Sequence, residues 1–286
     1  MSHGQEPPVF VSALRGPEPV VAVELRPPRA DLGGSDRLNV WIDTHHAVTR
    51  LTRAGRFVFL TDNAVGTEEE ENLAYVESSF ADEADVGHVV PFLTTKHTLE
   101  YCLTYAQRAW GRGVRAMTVL GGDQNVGPPR CVPHSYMLRE MIRKRAPGLA
   151  LGGWANPHRE AGQQSIYLTE SPDTIDFFLT QVVSHHTAGG VEALEKELDA
   201  RGADLPGVYG IFFYRSANPH TLQRLSRFLP VPAEAIVREF ESGVTPEEFC
   251  ARTLRALRDA GARHVYVSNL PIRGASRTLD EILERV

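Results

Sequence analysis

Short apolar runs alternate with amphipathic stretches along the whole chain. Val21, Ala22 and Val23 open the first run. RFVFLTD (56–62), GHVVPFLTT (87–95), RAMTVLGGD (115–123), LALGGWANP (149–157), DFFLTQVVSH (176–185), GVYGIFFYRS (207–216) and RHVYVSNLP (263–271) follow. Each is strand-length, rich in β-branched or aromatic residues, and bounded by glycine, proline or polar residues. Helix-like segments lie between them: 35–55, 67–80 with Thr67 and Glu70 at capping-box spacing, 97–113, 134–146, 189–202, a long stretch from 218 to Gly261, and 275–286. The connection after residue 157 is irregular and predicts at most a short helix. Eight such units predict parallel strands with right-handed crossovers, closed into a (β/α)8 TIM barrel of the α/β class. The barrel is expected as a single domain over 16–286. Residues 1–15 are expected as a flexible N-terminal segment, polar and proline-bearing at its start.

Composition narrows the function classes. The chain has 286 residues, a formal net charge of -6 and interspersed charges, so no basic stripe for nucleic acid is expected. No apolar run reaches membrane-span length, and the N-terminus lacks a signal pattern, so a cytoplasmic protein with no membrane partner is expected. Cys102, Cys131 and Cys250 are odd in number and widely spaced, which argues against a disulfide framework.

In such a barrel the site lies at the C-terminal strand ends. Those ends carry Glu24, Thr61-Asp62-Asn63, Thr94-Thr95, Gly121-Gly122-Asp123-Gln124, Asn156-Pro157-His158, Thr180-Gln181, Tyr214-Arg215-Ser216 and Ser268-Asn269. Glu24 interrupts an apolar strand that Pro27 and Pro28 then end. A buried carboxylate is costly unless paired or protonated. It reads either as a structural partner of Arg26 or Arg29, or as a working acid. Gly121 and Gly122 read as a tight turn or as room for a ligand to approach the backbone. Gln181 reads as a satisfied core amide or as a donor–acceptor pair suited to a pterin edge. His158 reads as a ligand contact or as a loop-packing residue. His45-His46 and His185-His186 are adjacent, so their side chains are expected to diverge, and no metal site is expected. The acidic run 68–71 reads as the start of a helix.

Taken in order, the strand ends resemble the methylenetetrahydrofolate reductase family. VELRPPR (23–29), FLTDNAVG (59–66), FLTT (92–95), TVLGGD (118–123), NPH (156–158), FFLTQ (177–181), YGI (209–211) and HVYVSN (264–269) are similar to successive motifs of that family. The resemblance implies an oxidoreductase that reduces 5,10-methylenetetrahydrofolate with NAD(P)H and FAD. It implies Glu24 as general acid, Asp123 as a carboxylate stabilising developing positive charge, and Gln181 as the pterin-holding residue. Tyr214, Asn269 and Arg273 are carried over as further substrate contacts. Thr61, Asn63, Thr94, Gly121, Gly122, Asp123, Asn156 and His158 are carried over as cofactor contacts. A reduced folate is the implied partner, and a homo-oligomer is compatible with the fold.

The departures fall on the flavin side. Phe92 stands where the family has histidine, Gly122 where it has arginine, Asp62 where it has tyrosine and Leu270 where it has arginine. No lysine lies between Lys144 and Lys196, where the family contacts the FAD phosphates. A folate-dependent one-carbon enzyme without a redox step, or a non-catalytic folate-binding subunit, are therefore the competing expectations.

Overall fold

The structure is a computed structural model that describes residues 7–62, 71–73, 85–122 and 127–286. The predicted helix over 67–80 and the acidic run 68–71 lie largely outside the described residues. Eight parallel strands close in sequence order into one barrel. They are β1 (Val21–Leu25), β2 (Val58–Leu60), β3 (Val89–Thr94), β4 (Ala116–Leu120), β5 (Ala150–Ala155), β6 (Phe177–Thr180), β7 (Gly207–Phe212) and β8 (His264–Ser268). The described helices are α1 (Val9–Arg15), α2 (Gly34–Arg53), α3 (Leu99–Gly111), α4 (Ser135–Arg145), α5 (Ala161–Thr169), α6 (Gly189–Ala200), α7 (Pro219–Leu225), α8 (Ala233–Glu241), α9 (Pro246–Asp259) and α10 (Ala275–Leu283). The sheet closes where β1 pairs β8, with Glu24 beside Ser268; on its other side Glu24 neighbours Phe59 of β2.

Strand residues alternate between two cores. Val21, Val23 and Leu25 face outward into the layer shared with the helices. Ala22, Phe59, Phe92, Phe177 and Tyr266 belong to the core that fills the barrel. Both faces are apolar, which is why these strands read as continuous runs. Large rings fit inside because facing positions are small. A Cβ on Gly152 would lie 2.3 Å from Phe177, and one on Gly210 would lie 2.6 Å from the Tyr266 hydroxyl.

The N-terminal expectation is corrected over residues 9–15. Val9–Arg15 forms a helix that plugs the barrel floor. Phe10 is fully buried and packs edge-on against Phe57, Phe59 and Phe177, at centroid distances of 4.8, 5.7 and 4.9 Å. The open lower end of the barrel supplies an apolar socket, and filling it stabilises an otherwise marginal seven-residue helix.

Candidate active site

The barrel lumen changes character towards its upper end. Below lie Phe10, Phe59, Phe177 and Tyr266; above lie Glu24, Ser268, Thr94 and Gln181. Glu24 is on the inward register of β1 with Ala22, and it is 8% exposed. The Ser268 hydroxyl donates to Glu24 Oε1 at 2.6 Å. Burial raises the Glu24 pKa; the charge of Arg26 and the Ser268 hydrogen bond oppose that rise only in part. No ion pair to Arg26 or Arg29 forms: Arg29 pairs instead with Asp31. The strand environment thus favours a neutral carboxylic acid at the base of the mouth.

Polar groups with spare valence lie on the inward register of other strands. Thr94 Oγ1, and Thr118 Oγ1 one layer down β4, are buried without a hydrogen-bond partner among the described residues. Such hydroxyls are normally satisfied, by water or ligand where protein offers nothing. Gln181 Oε1 accepts from the Val182 backbone N–H at 2.9 Å, which leaves its amide nitrogen as an available donor. Thr61 is buried at the top of β2. Asn72 braces this side: its Nδ2 donates to the carbonyls of Leu60, Thr61 and Phe92, and Tyr105 donates to its Oδ1. Asn63 and Asp123 lie outside the described residues.

Other expected contacts are committed to holding loops. Asn156 Oδ1 accepts from the His158 N–H, and the His158 ring bonds the Val182 carbonyl at 2.9 Å. Burial lowers the His158 pKa, so it serves as a neutral donor tying the β5 tip to β6. Asn269, in the left-handed region with φ 69°, donates to the Phe213 carbonyl and joins β8 to β7. Tyr214 is buried against Phe212 and Phe249, and that burial pushes its pKa up.

Two sets of expected contacts have partners within the chain. Arg273 pairs with Asp43 of α2 at 2.8 Å, in a surface cleft of about 240 Å³ with His46, Arg50 and Arg277. Arg26 lies close enough for its charge to act on Glu24, and Arg215 close enough to feel Arg26. Arg215 is anchored to the carbonyls of Asn269 and Leu270, and burial followed by the charge of Arg26 lowers its pKa. Gly121 and Gly122 are also explained from within. A Cβ on Gly121 would lie 3.0 Å from the Arg130 guanidinium, and one on Gly122 would lie 2.7 Å from Lys96 Cγ. The backbone there is approached closely by the chain's own side chains.

The sequence reading missed Asn72 and Trp154. Trp154 shares the inward register of β5 with Gly152, and its ring lies 6.0 Å from Phe92. That period-two spacing was its only signal. The expectation that His185 and His186 diverge is also corrected. In the 3-10 turn His185–Thr187 both rings reach Glu239 Oε1 of α8, at 2.7 and 2.6 Å. The chain leaves extended geometry at Ser184, so the alternation that separates neighbours on a strand no longer applies.

The residues fit FAD poorly in the manner the resemblance implies. The described crossover from β5 to β6 has no lysine or arginine between Arg159 and the start of β6, and Lys96 and Arg130 cover Gly121 and Gly122. No helix among the described residues is long and apolar enough to cross a membrane.

No family model matches the chain, and no curated protein sequence matches it. Solved structures do. One is an uncharacterized protein from Clostridium thermocellum that binds two copies of 5-methyl-5,6,7,8-tetrahydrofolic acid. It superposes with a TM-score of 0.68 at 12% identity, covering 96% of this chain and 97% of that one. An F420-dependent secondary alcohol dehydrogenase in complex with an F420-acetone adduct gives a TM-score of 0.57 at 11% identity, covering 94% and 99%. Pyruvate carboxylase from Rhizobium etli gives 0.51 at 10% identity, covering 92% of this chain and 24% of that one. At these identities the likeness establishes the fold: this chain is a single (β/α)8 barrel whose structural neighbours include a folate binder and an oxidoreductase.

Proposed function

We propose that this barrel takes a reduced folate at its C-terminal mouth and acts as a methylenetetrahydrofolate reductase-like oxidoreductase, with Glu24 as proton donor. The observation that carries the reading is a buried acid whose pKa burial raises, oriented by the Ser268 hydroxyl, in a lumen with polar groups of unused valence. The folate ligand of a structural neighbour of equal length supports the substrate class.

Glu24 would deliver its proton to N10 of 5,10-methylenetetrahydrofolate. The C–N10 bond then breaks, its electron pair goes to N10, and the C–N5 bond becomes an iminium. A raised pKa keeps the acid loaded near neutral pH, and the Ser268 hydroxyl stabilises the carboxylate left behind. NAD(P)H is the expected hydride source, reducing the iminium to the 5-methyl group. No step is routed through flavin, because the described residues do not fit FAD. Gln181 Nε2 would hold the pterin edge, and Arg26 with Arg215 would meet the glutamate carboxylates of the folate tail. Asp123 keeps the charge-stabilising role the resemblance implies.

The test pairs binding with turnover. Wild type should bind 5-methyltetrahydrofolate in calorimetry and oxidise NAD(P)H when given 5,10-methylenetetrahydrofolate. Glu24→Gln should bind and fail to turn over. Absence of folate binding would sink the proposal. Binding without NAD(P)H consumption, with and without added FAD, would favour a non-redox folate-dependent one-carbon role. The missing cations before β6 are the specific observation on that side.

A further inference from the structure

His185, His186 and Glu239 form a cluster apart from Glu24. Their donor atoms, two imidazole Nε2 and one carboxylate oxygen, all lie within 4.8 Å of one another. Both rings point the same nitrogen at the same oxygen, with ring centroids 4.1 Å apart. A structural ion pair needs one histidine. Two that converge on one oxygen from adjacent positions describe three corners of a coordination shell. We propose that this cluster is a site for a divalent transition-metal ion, Zn²⁺ foremost, held by His185 Nε2, His186 Nε2 and Glu239 Oε1.

The surroundings suit that assignment. Zn–N and Zn–O bonds of ~2.0–2.2 Å place tetrahedral ligands roughly 3.3 Å apart, so the 2.6 and 2.7 Å contacts need to open by about 0.6–0.7 Å. The His side chains are 17% and 27% exposed, which leaves an entry path. His185 Nδ1 lies 3.1 Å from Thr253 Oγ1, whose own hydroxyl is directed at the Phe249 carbonyl. Thr253 can therefore accept Nδ1–H and fix the tautomer that bares Nε2, the orienting contact that metal-binding histidines use. A neutral histidine needs only this tautomer change to become a ligand. Arg252 holds Glu239 Oε2 at 2.9 Å, leaving Oε1 for the ion. Arg252 also opposes the bound charge, although Glu248 shares it at 3.0 Å. Three protein ligands leave at least one position for water or a substrate oxygen. The ion would pin α8, part of the long excursion between β7 and β8, to the turn that follows β6.

The test uses the full chain after chelator treatment. Zn²⁺ calorimetry should show one site per chain, and Co²⁺ should give ligand-field bands in the visible. His186→Ala and Glu239→Gln, folded by circular dichroism, should lose the Co²⁺ bands. They should also weaken Zn²⁺ binding by more than the ~10–100-fold that loss of an orienting partner causes. Arg252→Met should tighten binding, whereas a purely structural His–Glu–Arg network gives no metal response to tighten. The proposal is overturned if wild type binds neither ion. It is also overturned if His186→Ala and Glu239→Gln bind both ions like wild type, since the ion then sits elsewhere.

Discussion

The two halves of the barrel lumen handle buried ionisable groups in opposite ways. At the floor, His264 lies at the first position of β8, where its Nδ1 accepts from the Val20 N–H at 3.0 Å. Burial, followed by the charge of Arg263, lowers its pKa to about 4. At the mouth, burial raises the pKa of Glu24. Desolvation pushes both towards the neutral form, but only the floor histidine is capped by a backbone N–H. The mouth acid has a single hydroxyl partner and unfilled polar neighbours. The histidine's hydrogen bond is made within the scaffold, whereas Thr94 and Thr118 further up the lumen keep hydroxyls without a partner among the described residues.

The largest effect should come from Glu24→Gln, which keeps shape and the Ser268 contact but removes the proton. Turnover should fall by ~10²–10⁴-fold, the usual share of a positioned acid, with folate binding unchanged. Equal activity in the variant would erase the functional half of the contrast. Phe10→Ala should cost about 3–5 kcal/mol in denaturant unfolding, because the floor cannot collapse around the hole. A loss under about 1 kcal/mol would mean α1 is peripheral after all. Gly152→Ala should cost about 1–3 kcal/mol by forcing the Phe177 ring aside, read as a lowered melting temperature.

Smaller and more diagnostic are the pH effects. His264 has a depressed folded-state pKa, so its contribution is present above 6.5 and is lost as pH falls towards about 4. Glu24 has a raised one, so its contribution is present below the ordinary carboxylate value and is lost as pH rises through the folded value. Stability-versus-pH curves of His264→Asn and Glu24→Gln should therefore flatten on opposite sides. If both flatten on the same side, the two halves do not differ as described.

Much of this arrangement was legible in the sequence. Eight apolar runs in alternation with helices fix the closed barrel, and a carboxylate inside such a run marks itself. The strand ends were read too long: DFFLTQVVSH predicts a strand over 176–185, yet β6 stops at Thr180. Past that point Val183 makes a single parallel bridge to Ile211 of β7 before the chain turns away at His185–Thr187. The seven-residue α1 gave little signal, because its burial depends on a socket made by three distant rings. The pairing of His185 and His186 with Glu239 spans more than fifty residues and depends on where α8 docks, which no local pattern encodes. Trp154 sits in a run apolar on both faces, where alternation is hard to see.

The floor has a consequence for proton traffic. Phe10 plugs the lower opening, and the Tyr266 hydroxyl donates to the Thr180 carbonyl at 2.6 Å one level beneath Glu24. Among the described residues the hydrogen-bond partner of Glu24 is Ser268, at its own level, and the Tyr266 hydroxyl beneath is committed to Thr180, so the mouth is the expected route for its proton. A substrate that covers the mouth also isolates the acid from its supply. On the proposed reading, Glu24 then has one proton per binding event, and the mouth must clear before the acid can reload.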